Sequence, residues 1–194
     1  YSISLYKDQG FNFKNNNVQK DLSLFLIDRL KFYMKEKDIR HDIIEASINS
    51  FSIDNISKIY NKAKALNKFI INSFGKDIIA SYKRASNILE NELKSKELDL
   101  SNTTDPGIFK NDYEKNLYKK IHELRKYFTS INKDEDYQVT LGNLADAKLT
   151  INEFFDNVIV NDEDQSIKKN RLELLQMLCK TFDNYINFSN IETT

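Results

Sequence analysis

Side chains able to do bond chemistry are few in this chain, and their spacing argues against a reaction centre. His41 and His122 are the only histidines and Cys179 the only cysteine, with no metal-ligand spacing among them. The four glycines are scattered, so no glycine-rich loop can cradle a phosphate. The acidic run Asp162-Glu163-Asp164 has the composition of a cation site. Carboxylates also gather at the positive end of a helix, and capping accounts for the run without a metal. The expectation is a segment with no catalytic residue, no metal and no cofactor of its own.

Guanidinium chemistry is more informative. The chain has 24 lysines and five arginines, so a position that is still arginine points to a need for a planar, multi-donor group. Lys83 and Arg84, with Asn87 one turn on, make a compact donor group able to reach a phosphate and a base edge. Lys168, Asn170 and Arg171 make a second, close to a helix N-terminus that itself favours anions. Arg29 and Lys31 make a third, within FLIDRLKFY. Each arginine has a second reading, in which Arg84 or Arg171 pairs with a carboxylate such as Asp156 and ties helices together.

Helices must position these groups. One proline and four glycines in 194 residues exclude a β-rich fold with many tight turns. Apolar spacing predicts helices over about 21–37, 41–49, 56–70, 76–98, 111–131 and 137–148. Leu22, Phe25, Leu26, Leu30, Tyr33 and Met34 form the apolar stripe of the first. Asp54 is the expected cap of the third, and Gly75 the break before the fourth. The only proline lies in the TTDPG loop at 103–107, while Asn111 and Glu114 form a capping pattern for the helix that follows. Thr150 and Glu153 read as another capping box, opening a helix with Phe154, Phe155, Val158 and Ile159 on its inner side. The acidic elbow then leads to a last helix opening on Asn170-Arg171-Leu172. Together these predict an all-α fold, a single bundle of about seven or eight helices. Residues 1–20 read as a connector with the tail of a preceding helix, 21–190 as the bundle, and the chain as a piece of a larger subunit.

Formal net charge is zero, so the basic footprint of a free-standing nucleic-acid binder is missing. Residues 1–97 nevertheless carry +5 and residues 98–194 carry −5, which places any phosphate-facing patch in the first half. No apolar run approaches 18 residues, so no membrane-spanning helix is expected. A lone cysteine fits a reducing, cytoplasmic setting.

Four segments carry a resemblance: FLIDRLKFYMKEKDIRHDIIEA, AKALNKF, ASYKRASNIL and FFDNVIVNDEDQSIKKNRLELL. Their order and spacing, over residues 21–188, resemble the C-terminal region of bacterial glycine–tRNA ligase beta subunits, whose all-helical anticodon-binding domain is of the DALR type. The resemblance implies a domain that holds the anticodon arm of glycine tRNA through Arg29, Lys31, Lys83, Arg84, Asn87, Lys168, Asn170 and Arg171. It implies an alpha subunit as partner. ATP- and magnesium-dependent joining of glycine to tRNA would then belong to the parent aminoacyl-tRNA synthetase, and this segment would be non-catalytic. Two other readings stand beside it. One is the corresponding domain of an arginine–tRNA ligase, and the other is a helical protein-interaction module.

Overall fold

The computed structural model describes residues 5, 6, 8–11, 17–48, 56–94, 100, 101, 103–130, 137–186 and 188–192. Among them are eight α-helices and no strand: α1 Val18–Glu36, α2 His41–Ile48, α3 Ile56–Ile71, α4 Ser73–Lys94, α5 Asp112–Ser130, α6 Tyr137–Ala145, α7 Lys148–Asn157 and α8 Gln165–Asp183. Short 3-10 turns at Pro106–Ile108 and Phe188–Asn190 complete the order. The Asp54 cap lies outside the described residues, as do the expected helix ends at 95–98 and 131.

The last long helix is the most deeply buried of those described. Leu172, Leu174, Leu175, Leu178 and Phe182 are buried on α8, and so are Asn170, Arg171, Glu173 and Thr181. A helix buried on every side must be wrapped by others, and α4 and α5 pack directly on it. Ile78, Ile79, Tyr82, Ala85 and Leu89 form the inner face of α4, at the spacing that the sequence dictates.

Local chemistry sets the boundaries. α1 ends in a Schellman turn: the Ile39 amide donates to the Met34 carbonyl, the Asp38 amide to that of Lys35, and Asp38 takes a left-handed φ of 56°. Asn111 and Glu114 form the expected box at the start of α5. The Glu114 amide donates to Asn111 Oδ1 at 3.1 Å, and Glu114 Oε2 accepts from the Asn111 amide at 3.0 Å. Asp164 caps α8, accepting from the Ser166 and Ile167 amides.

Four expectations are corrected. α7 begins at Lys148, so Thr150 and Glu153 lie inside it and form no capping box; buried Ala147 and Ile151 start the helix by packing instead. Gly75 is not the break, which falls at Asn72, where the side chain accepts from the Gly75 amide. Gly75 lies in the first turn of α4 because the Phe69 carbonyl of α3 occupies the place where a Cβ would project. The stripe on α1 divides: Leu30 and Met34 are buried, whereas Leu22, Phe25, Leu26 and Tyr33 are exposed. Ile159 is 77% exposed, since α7 ends at Asn157 and helical spacing no longer directs its side chain inward.

Candidate nucleic-acid interface

α4 turns its apolar residues inward, and that orientation leaves Arg84 and Asn87 exposed, with Lys83 half-buried beside them. The Arg84 guanidinium carbon sits 4.4 Å from the centre of the Phe155 ring, on α7. Its terminal nitrogen reaches the Phe155 carbonyl only at 3.5 Å, at the limit of a hydrogen bond. Asp156 is not among its partners. Phe155 is buried, so one face of its ring belongs to the core and the other supports a cation that still reaches solvent.

This contact is one rung of a ladder. Asp77 pairs with Lys148, Ser81 Oγ donates to Asn152 Oδ1 at 3.2 Å, and Arg84 lies on Phe155. Steps of four and three residues recur in the same direction on α4 and α7, so the two helices run parallel. Lys168 of α8 extends the seam by pairing with Glu92 at 2.7 Å. Of the cations along it, Arg84 is the one that a core ring holds without a carboxylate.

The second predicted cluster is turned inward. Arg171 is buried: its Nε donates to Glu114 Oε1 at 2.6 Å, and one terminal nitrogen donates to Asp162 Oδ2 at 2.6 Å and to the Ile159 carbonyl at 2.8 Å. Asn170 accepts from the Asp105 amide at 2.8 Å and donates to the Asp105 carbonyl at 3.0 Å. Glu173 accepts from the amide and hydroxyl of Ser101, at 2.9 and 2.6 Å. These three neighbours on α8 therefore fasten the loop around Pro106 and the elbow before α8. α8 opens at Gln165, which puts Asn170 and Arg171 in its second turn rather than at its N-terminus. As outward donors both are corrected: their polar atoms bind the fold, and Lys168 is paired.

The acidic elbow is structural as well. The Asp164 amide and Arg171 hold the Asp162 carboxyl below the usual carboxylate range, and the Ser166 hydroxyl and amide do the same for Asp164. No cluster of ligands able to hold a metal occurs among the described residues. Burial pushes the Cys179 thiol up to about 12, which keeps it protonated and unreactive at neutral pH.

On α1, Lys31 pairs with Glu45 of α2 at 2.7 Å, and exposed Arg29 lies over the Phe25 ring at 5.2 Å. The predicted site residues thus fall in three places, on α1, α4 and α8. Sequence reasoning favoured the core for Phe155 over a base-stacking role and passed over Glu173. The signal for Glu173 was a polar triad in an otherwise apolar helix, which requires internal partners.

An all-helical bundle with a guanidinium laid on a ring at its α4–α7 seam is the class of structure defined here. By its sequence the chain belongs to the DALR anticodon-binding domain family, whose profile matches residues 78–194. Over 98% of its length it is similar to the glycine–tRNA ligase beta subunits of Rickettsia africae (strain ESF-5) and Rickettsia conorii, at 35% identity. The corresponding subunit of Rickettsia prowazekii is 33% identical. The chain spans 26% of the length of each. No described helix is long and apolar enough to cross a membrane.

Proposed function

We propose that the chain is the tRNA-binding domain of a glycine–tRNA ligase beta subunit and that it holds the anticodon arm through Lys83, Arg84 and Asn87. The observation that carries this reading is Arg84 itself. Phe155 fixes the guanidinium from below, and its exposed side offers a flat cation on which an unstacked base can lie. Lys83 supplies charge for a phosphate and Asn87 an amide for a base edge. Family membership over residues 78–194 supports the assignment, since this patch and its supporting ring fall within the matched region.

The other predicted residues divide by role in this reading. Asn170 and Arg171 act through the loop and elbow they hold, and Lys168 through its tie to α4. Arg29 and Lys31 stand apart on α1. The parent enzyme, with an alpha subunit and with ATP and magnesium, would carry out glycyl-tRNA synthesis in the cytoplasm, and this domain would take no step in the bond chemistry.

A titration of the chain with glycine tRNA, at several salt concentrations, tests the proposal. Arg84→Ala should weaken binding about tenfold to a hundredfold, the equivalent of roughly 1–3 kcal/mol for a good base contact. A tRNA with an altered anticodon should lose affinity for the native chain and little for the variant. Equal affinity of native and variant chains for both tRNAs would remove Arg84 from the interface.

A further inference from the structure

α1 carries two apolar faces. Leu30 and Met34 face α2 and α3 and are buried. Leu22, Phe25, Leu26 and Tyr33 follow a second stripe, with Phe32 at its border, and all five are exposed. Phe25 and Phe32 retain 53% and 59% of their surface. A helix apolar on two sides is built to be covered on both. Beside the second stripe lies an open groove of about 500 Å³, with Leu26 and Tyr33 on one wall and Ile56 and Tyr60 of α3 on the other. Arg29 stands in the stripe, over Phe25, with no ion pair among the described residues.

We propose that this face of α1 is the seat on which the remainder of the beta subunit packs, bringing apolar side chains to the groove and a carboxylate to Arg29. Two observations select that occupant. The anticodon-binding profile begins at residue 78, beyond α1, α2 and α3, yet similarity to the beta subunits extends over 98% of the chain. The first three helices, although packed into the same bundle, thus lie outside the profile and within the stretch shared with beta subunits. The chain also spans only 26% of those relatives, so most of their mass lies in other segments that the domain must be joined to. A polyanion is the poorer partner, because five exposed apolar side chains outnumber the two cations on the face, Arg29 over Phe25 and Lys37 over Tyr33. The inference rests on the chain being part of a beta subunit and is independent of the RNA contacts at α4.

Cysteine labelling tests it. Phe25→Cys and Phe32→Cys are placed at exposed positions, with Ile71→Cys, on α3 and 70% exposed, as reference. Native Cys179 is buried and contributes little background. In the 194-residue chain at low concentration all three should react with N-ethylmaleimide at similar rates. In the full-length beta subunit, the two α1 positions should react roughly tenfold more slowly, or less, than Ile71→Cys. Equal rates in the full-length subunit would overturn the proposal. So would protection in the 194-residue chain that grows with its concentration, which identifies a second copy, or protection that depends on added tRNA. The α4 titration reads a different surface, so either proposal can fail alone.

Discussion

Arg171 and Glu114 form a buried ion pair across the bundle, Nε to Oε1 at 2.6 Å, with 6% and 1% of their side chains exposed. The carboxylate is shared. Its other oxygen accepts the Lys110 and Asn111 amides and so caps α5 while it neutralises α8. Removing one partner strands a charge away from water. Arg171→Ala should cost about 3–5 kcal/mol in denaturant unfolding. The double variant Glu114→Gln/Arg171→Met should cost less than its two singles together, and additive losses would show that the pair is uncoupled.

Asn170→Ala leaves the amide and carbonyl of Asp105 without their partner. A loss of about 1–3 kcal/mol is expected, and it should be local. Hydrogen exchange at residues 103–111 should quicken while the inner faces of α4 and α8 stay protected. Unchanged exchange in that loop would mean that other contacts hold it.

Lys62 is buried on α3, donates to the Tyr185 carbonyl, and lies over the Tyr185 ring. Burial lowers its pKa from 10.5 to about 7. Below pH 7 both folded and unfolded chains hold the proton, and the cost of the buried charge is present in full. Between pH 7 and 10.5 the unfolded chain holds more protons, so stability rises with pH, in total on the order of a few kcal/mol. Melting temperature measured from pH 7 to pH 9 should climb in the native chain. It should climb less in Lys62→Met, and equal slopes would assign the rise to other groups.

Two glycines should respond oppositely to alanine. Gly75→Ala drives a methyl into the Phe69 carbonyl, and displacing backbone should cost about 1–3 kcal/mol. Gly142, within α6, has open space where its Cβ would lie, and Gly142→Ala should stabilise by about 0.5–1 kcal/mol. Thermal melts of the pair separate steric demand from chain entropy.

Helices with one apolar stripe were legible in the sequence, because spacing at three and four residues specifies both the element and its buried face. The inner face of α4 and the Asn111–Glu114 box follow from such local rules. What sequence could not supply was the partner of a polar side chain. Arg84 and Arg171 read alike as guanidiniums on apolar helices. Arg171 meets a carboxylate 57 positions away in the chain, whereas Arg84 meets a ring. The two faces of α1 were merged for the same reason, since periodicity cannot say which of two neighbouring stripes finds a neighbour. Thr150 and Glu153 had the cap pattern, but burial of Ala147 and Ile151 started α7 earlier.

The deep burial of α8 has a consequence for synthesis on the ribosome. Ser101, Asp105 and Glu114 emerge well before Glu173, Asn170 and Arg171, to which they are tethered across 72, 65 and 57 positions. Until that closing strut leaves the exit tunnel, α4 and α5 lack the helix on which both pack, and a carboxylate meant for the interior stays in water. Nascent chains arrested before residue 165 should thus be prey for proteases that the 194-residue chain resists.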